Sequence, residues 1–280
     1  MFDFNASRPW SEYSFCAIDL ETTGKYPIES AICELAAVKW RSGEVVDRFT
    51  SLIKPPHIMS QEVINIHNIT NEMVVDAPPI EQKIESFLNF ISDSVILAHH
   101  APFDMGFLAV DFEKNRLSLP KTPALCTSLM ARKAIPESPN HRLVTLKSVL
   151  NLSQKNSHRA LEDSINCLEL GLICFERIGR EKTLDDLIDF QGVNLVWDMF
   201  SINRLKEHGE WICLVEALEN KTEVYIVYDG GSKPGKKRII HPKGLVRNPN
   251  GDYVMAFDRN GSQIKRFYLN RIVDSISLNS

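Results

Sequence analysis

Apolar residues fall into short runs and stripes whose period changes along the chain. Ser14 to Leu20 is a nearly continuous apolar run ending in charge, the pattern of a strand buried on both faces. Cys33 to Trp40 and Val45 to Ile53 flank the turn cluster Arg41-Ser42-Gly43-Glu44 and predict a hairpin. Val95 to Ala98 predicts another buried strand. Between these runs the period lengthens. Ile80, Ile84, Phe87, Leu88 and Ile91 form one helical stripe, and Phe103 to Phe112 and Ala160 to Phe175 repeat that spacing. Strands alternating with helices predict an α/β layer structure over residues 10–180.

Past Thr183 the texture changes. Leu184 to Ser201 reads as a helix and connector, and Arg204 to Glu219 as one helix that Gly209 weakens. Five short β-leaning runs follow: Val224 to Tyr228, Arg238 to Ile240, Tyr253 to Phe257, Arg266 to Leu269 and Ile272 to Ile276. Turns such as Gly230-Gly231 and Asn248-Pro249-Asn250-Gly251 separate them, which predicts a small β-barrel or open sheet. The expected division is residues 10–180, an acidic helical connector at 181–202, and a β domain at 203–280.

The length of 280 residues fits two domains or one large one, and 44% hydrophobic with 24% charged residues is enough for a packed core. The formal net charge of −4 hides an uneven distribution. Residues 1–180 carry 18 basic and 22 acidic side chains, 181–220 carry 3 and 9, and 221–280 carry 11 and 5. The last sixty residues are therefore a basic module behind an acidic connector. No apolar run reaches the length of a membrane span, and Met1 to Glu12 lacks an apolar stretch of signal-peptide length. The six cysteines lie far apart with no C-x-x-C pair, which reads as buried thiols, not a disulfide framework or a zinc site. The expectation is a soluble, cytoplasmic protein with no membrane partner.

Three acidic segments carry candidate chemistry. In Asp19-Leu20-Glu21-Thr22-Thr23-Gly24, at the end of the first strand, strand period puts Asp19 and Glu21 on one face. Paired carboxylates suit a hard divalent cation, although a D-x-E at a strand end also fits a solvated edge. In Leu97-Ala98-His99-His100-Ala101-Pro102-Phe103-Asp104, Asp104 opens a helix directly after a buried strand, where an acid also suits the helix dipole. In His158-Arg159-Ala160-Leu161-Glu162-Asp163, five residues turn a helix by about 140° beyond a full revolution. His158 and Asp163 therefore meet at one site only if His158 precedes the helix and Asp163 lies inside it.

D-x-E, then a helical Asp, then H-x4-D, in that order, resembles the DEDDh family of 3′–5′ exonucleases, which have a ribonuclease H-like fold: a mixed central sheet flanked by helices. Ile66-His67-Asn68-Ile69-Thr70-Asn71-Glu72-Met73 with Asp76-Ala77-Pro78-Pro79 is similar to the segment between the first two motifs in proofreading subunits of bacterial replicative polymerases. Leu125-Cys126-Thr127 and Leu143-Val144-Thr145-Leu146 resemble later landmarks, while His100 stands where the family usually has Asn. The resemblance implies that Asp19, Glu21, Asp104 and Asp163 hold two Mg²⁺ or Mn²⁺ ions, with His158 as general base. Two carboxylates ~6 Å apart repel by about 3 kcal/mol at an effective dielectric of 20, so four in one cleft need such cations. It further implies that Thr22 and Thr23 hold the terminal 3′-hydroxyl and that His67 and His99 contact the end nucleotide. Phe103 and Phe107 could stack on a base, or pack in the core at helical spacing.

The basic module resembles a WYL domain, a small Sm-like barrel, through Val224 to Tyr228, Arg238, Pro242, Leu245, Tyr253 to Ala256 and Arg266 to Ile272. The namesake Trp-Tyr-Leu is here Asp252-Tyr253-Val254. By that resemblance Arg238, Arg266 and Arg271 contact an anion such as phosphate, and Lys233, Lys236 and Lys237 add a basic turn or an ordinary solvated face. The expected activity is two-metal 3′–5′ hydrolysis of single-stranded DNA in repair or proofreading, compatible with a polymerase partner. RNA as substrate and a non-catalytic nucleic-acid sensor are the alternatives.

Overall fold

The computed structural model describes residues 6–154, 159–231, 234–259, 261 and 263–278. These form two compact units: one of the residues up to Thr23 with Ile32–Met105 and Pro120–Trp197, the other of Gly24–Ala31, Gly106–Leu119 and the residues from Asp198 on.

The first unit is built on β1 (Phe15–Thr22), β2 (Ile32–Arg41), β3 (Glu44–Leu52), α1 (Gln61–His67), α2 (Asn71–Val74), α3 (Ile84–Ile91), β4 (Val95–Ala98), the start of α4 (Pro102–Lys114), β5 (Ala124–Cys126), α5 (Thr127–Ala134), α6 (Leu143–Val149), α7 (Ala160–Ile178) and α8 (Leu184–Gln191). Its sheet is mixed and ordered β3-β2-β1-β4-β5, with β1 antiparallel to β2 and parallel to β4. The apolar run of β1 is explained by this central place: Phe15 to Ile18 are fully buried. Helix α7 lies across β1, β2 and β4, and Gly171 permits the approach, because a Cβ there would stand 3.0 Å from Leu97 Cδ1. Trp10, Phe15 and Trp40 form a ring-to-ring cluster with Phe175 of that helix. In α8, Leu184 and Leu187 are buried in the same core, so residues 184–191 are part of a packed layer.

The second unit holds α9 (Ile202–Lys206), α10 (Ile212–Asn220), β6 (Val224–Tyr228), β7 (Lys236–Val246), β8 (Tyr253–Asp258), β9 (Ile264–Tyr268) and β10 (Ile272–Ser277). Its five strands form an antiparallel sheet in the order β10-β6-β7-β8-β9, with α10 packed on β6, β7 and β10. Alternate residues Val224, Ile226 and Tyr228 face the core, as the period of two requires.

Two expected helices are divided. Arg204 to Glu219 is not one helix: α9 stops at Lys206 and α10 starts at Ile212, with Gly209 in the turn, where its helical penalty is avoided. The stripe from Ile80 to Ile91 begins as a 3₁₀ turn, Ile80–Gln82, and only Ile84–Ile91 is α-helical. The run expected at Arg238 to Ile240 is an eleven-residue strand, because a bulge between Pro242 and Gly244 lets pairing continue past the proline. Among the described residues, no helix is long and apolar enough to cross a membrane. The cysteines are free thiols, five buried and Cys213 half-buried.

Candidate active site

The site forms where β1 and β4, parallel neighbours, both end. Their pairing stops at Ile18 and Ala98; beyond it β1 stays paired with β2 as far as Thr22, and only its β4 side is left open. Asp19 and Glu21 project from β1 on the same face. Asp104 comes from the first turn of α4, and Asp163 from the first turn of α7, which begins at Ala160. One carboxylate oxygen from each of Asp19, Glu21 and Asp163 can be chosen so that all lie within 4.8 Å of one another. Asp104 lines the same cleft, a cavity of 470 Å³ shared with His99, Phe103 and Arg142.

The electrostatics follow from that crowding. Asp19 is pushed well above the usual carboxylate range by burial and then by Asp104, Glu21 and Asp163. Burial and the charges of Asp163, Glu34 and Asp104 raise Glu21 to about 8. Burial also raises Asp104, against backbone hydrogen bonds at Asp104 and Leu20 that favour its charge. Converging, desolvated carboxylates are unstable as free anions, and an all-oxygen donor set is what a hard divalent cation takes. The residues fit such an ion.

A fifth acid supports this arrangement. Glu34 on β2 stands opposite Glu21 in the sheet register and is 1% exposed. It accepts hydrogen bonds from Arg159 Nε and Nη2 and from the backbone N–H of Ala160, fixing the start of α7.

Residues 16–170 match the family model described as exonuclease, and residues 213–276 match that of the WYL domain. The chain belongs to the exonuclease family. Over 159 residues it is 40% identical to the PolC-type DNA polymerase III of Oceanobacillus iheyensis, covering 57% of this chain and 11% of the relative. The chain thus spans about a tenth of the length of the curated relatives it matches. Among solved structures, the nuclease domain of 3′hExo, a DEDDh family member bound to rAMP, superposes with a TM-score of 0.51 at 18% identity, covering 61% of this chain and 96% of that one. Exonuclease I gives 0.54 at 16%, covering 87% and 55%. At these identities the likeness shows the fold: an α/β exonuclease fold followed by an antiparallel β domain.

The fold brings some expected substrate residues to the cleft and leaves others apart. His99 and Phe103 line it. His99 Nε2 lies 3.1 Å from the His141 carbonyl, which can only accept, so this nitrogen carries the proton and Nδ1 accepts from the Thr127 hydroxyl at 3.0 Å. Burial lowers its pKa to about 4, consistent with a neutral ring. Thr22 is buried and Thr23 half-buried at the end of β1. His67 does not line the cleft: it is 1% exposed at the end of α1, accepting from Ile69 N–H at Nδ1 with Nε2 3.7 Å from Cys33 Sγ. Phe107 is a core residue, 1% exposed. His158 lies outside the described residues, as does Lys233. The Asn usual at position 100 has a backbone reason here. His100 has φ 77, the left-handed region that Asn enters more readily than most side chains.

In the WYL part, the three expected arginines have distinct settings. Arg238 lies over the Tyr228 and Phe267 rings, at 5.8 and 5.9 Å. Arg266 stacks on Tyr253 at 4.2 Å and donates to the Tyr268 hydroxyl. Arg271 is exposed beside Gly230, where a Cβ would stand 3.4 Å from its Nη1. Asp252, in the place of the namesake Trp, accepts from Arg247 Nε and Asn248 N–H and so closes the turn before β8.

Proposed function

We propose that the chain is a 3′–5′ exonuclease that removes nucleoside monophosphates from single-stranded DNA using two divalent ions, Mg²⁺ or Mn²⁺, in repair or proofreading. The observation that carries this reading is the convergence of Asp19, Glu21 and Asp163 within 4.8 Å, in a cleft that Asp104 also lines. Asp19, Glu21, Asp104 and Asp163 would hold the ions. Such ions supply a lowered pKa for an attacking water and charge stabilisation for the departing 3′-oxygen. His158 would serve as the general base, Thr22 and Thr23 would hold the terminal 3′-hydroxyl, and Phe103 would offer a ring to the last base. DNA is favoured as substrate because the relative that is 40% identical over 159 residues is a DNA polymerase. Arg238, Arg266 and Arg271 of the tail give a second, weaker grip on phosphates.

The test is a 5′-labelled single strand, DNA and RNA in parallel, incubated with Mg²⁺ or with EDTA. Stepwise 3′ shortening of DNA that EDTA stops is the expected result. Faster shortening of RNA would reassign the substrate. No product from either strand would leave the fold as a nucleic-acid sensor.

A further inference from the structure

A second cavity of 480 Å³ adjoins the acid cleft. His99, His100, Arg142 and Leu143 line both, so one continuous surface has carboxylates at one end, Arg132 and His141 at the other, and Arg142 where the two cavities meet. Arg132 and Arg142 are exposed on α5 and at the N-cap of α6, and neither forms an ion pair with a carboxylate among the described residues. The loop carrying Arg142 is held in shape: Ser138 Oγ donates to the Asn140 carbonyl, the Arg142 N–H donates to Asn140 Oδ1, and His99 donates to the His141 carbonyl. One guanidinium on α5 and one on a braced loop, beside a metal-type acid cluster, make a polyanion-binding surface with a direction.

We infer that this second cavity binds the internucleotide phosphates of the strand that remains after cleavage, with Arg132 and Arg142 as the phosphate contacts. The inference rests on the exonuclease reading of the adjoining cleft. The terminal nucleotide occupies the acid end, where its phosphate is attacked, and the shortened strand stays on the arginines as it advances by one step. Arg132 and Arg142 act on strand length and affinity, not on the bond that breaks.

The experiment compares Arg132→Ala, Arg142→Ala and the double variant with the parent on two substrates. One is a 5′-labelled twelve-nucleotide single strand; the other is a p-nitrophenyl ester of thymidine 5′-monophosphate, which offers a terminal nucleotide alone. The ratio of kcat/KM for the strand to kcat/KM for the ester is expected to fall about tenfold in the double variant, mainly through KM. The dependence of log KM on log salt is expected to flatten by about 0.7 for each arginine replaced. An unchanged ratio and salt slope would overturn the assignment. Anisotropy of a fluorescein-labelled strand in EDTA separates this claim from the catalytic one. If the parent hydrolyses neither substrate, the exonuclease reading fails, while about tenfold weaker binding by the double variant still supports the subsite and equal binding rejects it.

Discussion

Glu34 and Arg159, 125 positions apart, tie the second strand of the sheet to the start of the helix that carries Asp163. The Arg159 Nη2–Glu34 Oε1 distance is 2.7 Å, and the Ala160 N–H lies 2.9 Å from Oε2. Because the Glu34 side chain is 2% exposed and the Arg159 side chain 41%, the acid is the partner that needs the interaction. Glu34→Ala leaves Arg159 and the Ala160 amide without their acceptor. A loss of roughly 1–3 kcal/mol in stability is expected, together with a fall in kcat as α7 shifts. Urea titration and single-turnover kinetics check both, and a variant with full activity would show that the tie does not position Asp163.

Replacing the acids should separate holding an ion from moving a proton. Asp19→Ala and Asp163→Ala are expected to abolish turnover, whereas His158→Ala should lose about 10²–10⁴-fold. Rate measurements over a Mg²⁺ and Mn²⁺ series check this; full activity in Asp163→Ala would remove that side chain from the site.

The metal-free protein should become less stable as pH rises. Glu21 shifts from an ordinary 4.5 to about 8, and Asp19 and Asp104 also move upward. Between those limits the folded chain binds more protons than the unfolded one, so stability falls with pH, and the part due to Glu21 is complete above about 8. Tm measured in EDTA from pH 5 to 8 is expected to decline, and saturating Mg²⁺ to flatten the decline. A rising Tm in EDTA over that range would contradict the raised values.

In the second unit, Gly244 follows the β7 bulge, and a Cβ there would collide with the Tyr26 ring. Gly244→Ala should cost about 1–3 kcal/mol, the usual range for overpacking. Tyr26→Ala made first should remove most of that cost. A double-mutant cycle by urea denaturation checks it, with strictly additive effects as the contrary outcome.

For the tail, alanine at Arg238, Arg266 and Arg271 together is expected to weaken strand binding and reduce its salt slope by up to about 0.7 per arginine. Anisotropy at several salt concentrations reads this directly, and an unchanged slope would exclude the tail as a phosphate grip.

The parts of the site legible in the sequence were those with a local period. Strand alternation put Asp19 and Glu21 on one face, and helix geometry required Asp163 inside a helix with His158 before it. Glu34 was invisible because it sits in the apolar run Cys33 to Trp40, where it reads as an irregularity in a hairpin, and its partner is remote. Arg132 and Arg142 likewise gave no local signal; only the approach of α5 to the loop before α6 sets them beside one cavity. His67 carries no sign of its own burial in the sequence; only the fold sets it beside Cys33 and Ile69. Gly209 was visible as a weak point, yet propensity alone could not show that the helix ends there. The three-residue strand β5 is too short to have a period.

The most direct test is an anomalous difference map from crystals soaked in Mn²⁺. Two peaks about 3.5–4 Å apart, within coordination distance of Asp19, Glu21, Asp104 and Asp163, are the predicted result. A map with full Mn²⁺ in solution and no peak among these carboxylates would contradict the account.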